Sequence, residues 1–150
     1  MINRVERGDS SPTAALLGRL AGAYGLSMST LIARAELAGG LLLRHEEQPV
    51  WTDPATGYVR RHLSPGSDVP LDLVQIDLPP GTEVPMPASV FAFVRQMIWV
   101  ISGELRLREG ETDHVLDAGD CLTLGSPSDC RFANRGENIC RYLTVVLHGP

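Results

Sequence analysis

From Arg95 to Leu147 the apolar and polar positions follow the two-residue period of pleated strands, and the rest of the chain is read outward from there. Met97-Ile98-Trp99-Val100-Ile101 is an apolar run too short for a membrane span and suited to a strand covered on both faces. Ser102-Gly103 then turns the chain, and Leu105 and Leu107 alternate with Arg106 and Arg108, the pattern of a half-exposed strand. After a second turn at Gly110-Glu111, short strands are expected at His114 to Asp117, Cys121 to Leu124, Cys130 to Asn134 and Ile139 to Leu147. Loop-forming stretches separate them: Ala118-Gly119-Asp120, Ser126-Pro127-Ser128-Asp129 and Asn134 to Asn138. Strands so short and evenly spaced point to an antiparallel sandwich or barrel.

Upstream the period changes. Residues 1 to about 36 read as helices: Ser11-Pro12 is a start signal, Leu16, Leu17, Leu20 and Tyr24 recur on one face, and Gly25 stops the run. Ser27 caps a second helix whose stripe is Met28, Leu31, Ile32 and Ala35. Met1 to Arg7 adds one or two turns ended by Gly8-Asp9. These helices are too small to build a core alone and need something to pack on. Beyond Gly39-Gly40, extended pieces are expected at Leu41 to Leu43, Val50-Trp51 and Tyr58 to Leu63, with Asp53 to Gly57 as a turn. In Leu71 to Leu78 the apolar parity switches after Leu73, which suggests a bulge or a strand buried on both sides.

At 150 residues with 43% hydrophobic content, the chain holds one full domain and a small appendage. Its net charge of -5 argues against a basic surface, so a nucleic-acid contact would have to be a local patch. All 13 basic residues are arginine; without lysine, Schiff-base chemistry and a lysine-dependent phosphate loop are excluded. No stretch has the length of a signal peptide core or a membrane helix, which leads to the expectation of a cytoplasmic protein that does not contact a membrane. Cys121, Cys130 and Cys140 form no paired framework and fit free thiols.

The string Asn3-Arg4-Val5-Glu6-Arg7-Gly8-Asp9-Ser10-Ser11-Pro12-Thr13, followed by Leu16-Leu17, Arg19-Leu20-Ala21 and Tyr24-Gly25-Leu26, resembles the second half of a helix-turn-helix domain of the Xre (lambda-repressor-like) regulators. The resemblance covers roughly the first 36 residues and implies an incomplete helix-turn-helix, with no counterpart of the first two helices. The DNA-reading end of the recognition helix is missing too. Asn3 and Arg4 are then the candidate DNA contacts. Either the start lies at an internal methionine of a longer regulator, or the product is truncated.

Residues 79 to 147 resemble the cupin superfamily, which implies a mainly β, double-stranded β-helix barrel (jelly roll) over 37 to 150 behind a short helical segment at 1 to 36. The second cupin motif aligns from Gly119 and Asp120, with Cys130 at its histidine position, Asn134 at its asparagine, and Gly125 and Pro127 between. In the first motif Gln96 stands for the glutamate and Gly103 for the glycine, while the two histidines fall on Val90 and Ala92, or Ser89 and Phe91. No alignment supplies a metal-ligand set, so no metal and no cofactor are expected. His45, His62, His114 and His148 lie off these positions and are expected on the surface or in loops.

Without a metal the enzymatic reading weakens. On strand parity the barrel interior would be lined by Val90, Ala92, Val94, Gln96, Ile98 and Val100, with Cys130 and Phe132 opposite. The candidate ligand-binding residues are therefore Gln96, Cys130, Phe132, Ala92 and Ile98; otherwise these side chains simply fill the barrel. Trp99, with Met97 and Ile101, faces the other way and needs cover, which suggests a homodimer. The expected function is a metal-free, ligand-sensing cupin domain of an Xre-type regulator, with a small-molecule effector as partner and DNA only if the helix-turn-helix is complete. The alternative is a small cupin enzyme, an isomerase or oxygenase with unusual metal ligands.

Overall fold

A computed structural model of the chain describes residues 13–26, 28, 31, 41–66 and 69–149. Asn3, Arg4, Ser11, Pro12, Ser27, Ile32 and Ala35 lie outside the described residues. Among the described residues a helix, α1 (Ala14–Ala23), precedes ten strands: β1 (Val50–Thr52), β2 (Val59–His62), β3 (Leu71–Leu78), β4 (Glu83–Met86), β5 (Val94–Ser102), β6 (Leu105–Glu109), β7 (Thr112–Leu116), β8 (Cys121–Thr123), β9 (Cys130–Ala133) and β10 (Cys140–His148). The strands form a six-stranded sheet, β1-β2-β3-β10-β5-β8, and a four-stranded sheet, β4-β9-β6-β7, with antiparallel pairing throughout. The two sheets face each other as a jelly roll, the cupin-type architecture.

The long strand β10 sits inside the larger sheet, paired with β3 on one side and β5 on the other. Its inward residues Cys140, Tyr142 and Val146 join Val74, Ile76 and Leu78 of β3 and Ile98 and Val100 of β5 in the core. Val84, Met86, Leu105, Leu107 and Phe132 meet them from the smaller sheet. Gly103 closes the β5–β6 turn at φ +82, where a Cβ would lie 3.0 Å from the Cys140 Cα. Only glycine tolerates both that dihedral and that approach.

Several expectations change on contact with this architecture. β5 is not covered on both faces: Met97, Trp99 and Ile101 are 44%, 46% and 41% exposed, because no layer of the described chain lies over the outer face of the larger sheet. The parity switch at Leu73 is not a bulge, since β3 pairs β2 and β10 in unbroken register. Leu71 and Leu73 instead oppose Leu147 and Val145 on that same outer face. The irregularity falls at Ile101, where Arg141 pairs with Ser102 but Tyr142 with Val100. Leu41 to Leu43 form no strand, and Leu41 and Leu42 are exposed. β4 was hidden by Pro85, which is tolerated because β4 is an edge strand.

The helix also departs from the expected stripe. Its cap is Thr13, whose hydroxyl accepts from the Leu16 N–H at 3.3 Å, and its end is a Schellman motif in which Leu26 N–H donates to Ala21 O and Gly25 N–H to Gly22 O. Ala14, Leu16, Leu17, Gly18 and Ala21 are the buried residues, while Tyr24 is exposed. Small residues face inward because the barrel approaches closely: a Cβ at Gly18 would meet Val90 at 2.8 Å, and one at Gly22 would meet Ser89 at 2.9 Å. The packing partner of α1 is therefore the barrel itself. Asp53, buried in the β1–β2 turn, completes the join by accepting from Ala14 N–H at 3.3 Å as well as from Ala55 N–H and the Thr56 hydroxyl. A carboxylate there also complements the helix dipole.

His62, expected on the surface or in a loop, is buried on β2. Asp72 on β3 approaches it at 3.8 Å and receives His148 at 2.6 Å, and Arg60 and the Ser64 backbone also face it. Burial outweighs the pull of Asp72 and holds the His62 imidazole below its usual 6.5. The unfolded chain therefore takes up this proton first on acidification, so His62 destabilises the fold as pH drops through about 6.5 and adds nothing further below its folded value. Urea midpoints measured from about pH 8 to pH 5 should fall more steeply for the parent chain than for His62→Gln. Parallel curves would refute this account.

Candidate functional site

A small cleft, open to solvent at its mouth, lies between the two sheets. The larger sheet supplies Arg60 from β2, Ile76 from β3, Gln96 from β5, and Tyr142 and Thr144 from β10, with Tyr58 just ahead of β2. Val84 and Met86 of β4 and Phe132 of β9 form the opposite wall. Val90 and Phe91, in and after a short 3-10 turn at Ala88–Val90, close one side with Met28 from the helical segment. Strand register explains the grouping: Arg60, Ile76 and Tyr142 are direct cross-strand partners, so their inward side chains lie in one row.

Most of the wall is apolar, and its polar groups are few. Phe132 and Tyr142 stack across the gap between the sheets, centroids 6.0 Å apart and planes 8° from parallel. Tyr58 is 1% exposed, packs edge-on against Trp51, and has the Arg60 side chain as a hydrogen-bonding neighbour. Burial raises its pKa, while the neighbouring Arg60 guanidinium pulls the other way. Burial likewise pushes the Tyr142 phenol well above its usual value.

The five candidate residues do not converge. Gln96 and Phe132 line the cavity from opposite sheets. Ile98 and Cys130 are buried outside its lining, in core packing. Ala92 is exposed, because the chain from Ala88 to Phe93 is a 3-10 turn and bend rather than the strand that parity assumed. Sequence reasoning missed Tyr58, Arg60, Thr144 and the contribution of Met28. Arg60 could have been found, since the β1–β2 turn was legible and sets Tyr58 and Arg60 at equal parity, but nothing local marks which face turns inward.

The residues at the cupin metal positions do not suit a first-row cation. Gln96 offers a neutral amide, Val90 and Ala92 offer no donor, and Cys130 stands apart with a thiol pushed up to about 11, first by burial and then by the Glu109 charge. Among the described residues no group of three or more His, Cys, Asp or Glu could share a cation. The motif asparagine is structural instead. Asn134 Nδ2 donates to Leu78 O and Asn138 O, each at 2.8 Å, and its Oδ1 accepts from Gly136 N–H at 2.9 Å. This pins the loops leaving β3 and β9 to each other.

No protein-family model and no curated protein matches the chain. Solved structures do. An HTH_3 family transcriptional regulator from Vibrio cholerae is similar over 100% of this chain and 80% of its own, at 22% identity and a TM-score of 0.75. The cupin_2 domain of an XRE family transcriptional regulator from Enterobacter cloacae is similar over 62% of this chain and 97% of its own, at 21% identity and a TM-score of 0.56. A predicted oxalate decarboxylase from Thermotoga maritima is similar over 72% and 99%, at 16% identity and a TM-score of 0.55. At such identities the likeness shows the cupin fold. Among the described residues no helix is long and apolar enough to cross a membrane.

The thiols differ sharply in setting. Cys121 is exposed on β8, whereas Cys130 and Cys140 are buried, and the Cys140 thiol is also pushed up to about 11 by burial and the nearby Asp77 charge. Near pH 8 a thiol of that kind is ionised to only about one part in a thousand. Titration of the native protein with a disulfide reagent should show one fast thiol, lost in Cys121→Ser, and two that react only on unfolding. Three comparable rates would contradict this difference in burial.

Proposed function

We propose that the chain is the effector-sensing part of an Xre-type transcriptional regulator, with the cavity as its small-molecule site. One observation carries this reading: the cavity is walled jointly by both sheets of the barrel and by Met28 of the helical segment. An occupant touching all three has a means of biasing how the helices sit on the barrel, which is what a sensor requires of a ligand with different affinity for two arrangements. The likeness to regulators from Vibrio cholerae and Enterobacter cloacae supports the same reading. Contact with DNA, through Asn3 and Arg4 or through residues of a longer product, belongs to the proposal as well, as does the division into a helical part at 1 to 36 and a cupin part at 37 to 150. Cupin enzymes use the same barrel, and near-stoichiometric iron, manganese or zinc in protein purified without a histidine tag would replace sensing with catalysis.

Screening amino acids, sugars and small acids by thermal denaturation should reveal compounds that raise the melting temperature, because a ligand selective for the folded state stabilises it. The shift should vanish in Val84→Phe, which fills the cavity from β4, and binding should slow hydrogen exchange over residues 14–26. A panel without any stabilising compound, or a shift that survives Val84→Phe, would remove the basis of the sensing role.

The partner of the outer sheet face is proposed to be a second copy of the chain. Trp99 and Met97 on β5 oppose Leu143 and Val145 on β10, and Val145 opposes Leu73 on β3, so the apolar positions form a continuous patch over three strands. Such a patch can pack on itself about a two-fold axis, sheet against sheet. Sedimentation should show a dimer for the parent chain and a monomer for Trp99→Arg with Met97→Glu; a monomeric parent chain would refute it.

A further inference from the structure

The cleft between the sheets is bordered by a side chain that does not belong to the barrel. Met28 comes from the helical segment, is 3% exposed, and joins Ile76, Val84, Phe132 and Tyr142 in the core cluster while lining the cleft with them. Leu31, three residues on, packs against the same cluster. An unbranched methionine fills an irregular gap and can re-pack without forcing its neighbours to rearrange. Ahead of it, α1 lies on the 3-10 turn at Ala88–Val90, where Gly18 and Gly22 come too near Val90 and Ser89 to admit a Cβ. Val90 and the following Phe91 belong to the cleft wall as well. One short piece of chain therefore borders the cleft and covers the turn beside it.

This piece is held differently from the strands. β3, β5 and β10 are joined by long ladders of backbone hydrogen bonds. α1 meets the barrel by side-chain packing and by the 3.3 Å bond from Ala14 N–H to Asp53, and three of its five buried residues are the small Ala14, Gly18 and Ala21. Elements with fewer buried apolar contacts open locally at a lower free energy than the core. A helix of 10 residues is also marginal on its own in water, so its amides are protected only while it is docked.

We propose that α1 and Met28 form a lid that opens while the barrel stays folded, and that the small cleft described above is its closed state. Opening withdraws Met28 from the cleft wall and uncovers Val90 and Phe91, so the space between the sheets widens. The regulatory consequence rests on the sensing reading: an effector enters through the open state, and the flexible Met28 side chain re-packs on it to hold the closed one. Such a ligand shifts the population of the lid and so links occupancy of the barrel to the placement of α1.

The lid itself is tested without any ligand, by hydrogen exchange of the whole chain in low concentrations of urea. Amides of residues 14–26 should exchange at least about tenfold faster than the slowest amides of β3, β5 and β10, and with a shallower dependence on urea, because lid opening exposes less surface than global unfolding. Met28→Ala should speed exchange over 14–26 about tenfold or more, whereas Arg19→Gln, on the exposed face of α1, should leave it unchanged. In Gly18→Val the added methyls meet Val90 and hold the lid off: 14–26 should lose protection and an anilinonaphthalene sulfonate dye should bind, while the barrel keeps a cooperative unfolding transition. Exchange over 14–26 with the same urea dependence as β10, no acceleration in Met28→Ala, or a Gly18→Val chain that binds no more dye than the parent or unfolds helix and barrel together would overturn the lid. The sensing reading would then still stand or fall by its own ligand screen.

Discussion

The pairing of β10 on both of its edges is the constraint from which the remaining structure follows. β3 and β5 each run antiparallel to it along nearly its whole length, so its register decides which side chains enter the barrel. A slip of one residue would exchange Tyr142, Thr144 and Val146 for Arg141, Leu143 and Val145. That exchange would put a charge in the core and remove one of the two stacked rings that bridge the sheets. Local devices lock the register at one end: the close approach of Gly103 to Cys140, and the two-toothed bond of Arg141 to Asp77 at 2.7 Å.

Given that frame, the cavity is a place where the two sheets leave space between them. Elsewhere the interior is filled by aliphatic and aromatic side chains, and buried polar groups such as Asp53 and Asn134 are matched. At the cavity wall the Tyr58 side chain is matched by the neighbouring Arg60. The helical segment is tied to the same neighbourhood, since the turn that carries Asp53 leads directly to Tyr58.

Much of the fold was legible in the chain. The strands from Leu105 to Leu147, the turn at Asp53 to Gly57, the helix stop at Gly25 and the outward set of Met97, Trp99 and Ile101 all follow from alternation and turn chemistry. What was not legible depended on distant parts of the chain. Pro85 concealed β4 because its acceptability rests on edge position, a property of the whole sheet. The inward face of α1 is built of Ala14, Gly18 and Ala21, where a pattern search favours the larger Leu20 and Tyr24. Of the candidate site, Gln96 and Phe132 came from motif position and parity, whereas Tyr58 and Arg60 sit on a strand no motif covers. Ala92 was misplaced because parity was carried back through a segment that is not extended.

Pro85 has one more effect. As an imide it has no N–H, and on an outermost strand the missing donor is one that another molecule's backbone would have needed in order to continue the sheet. That flank of the jelly roll is a poor template for chain-to-chain strand addition, and fibrillar aggregation through β4 is disfavoured by a single ring.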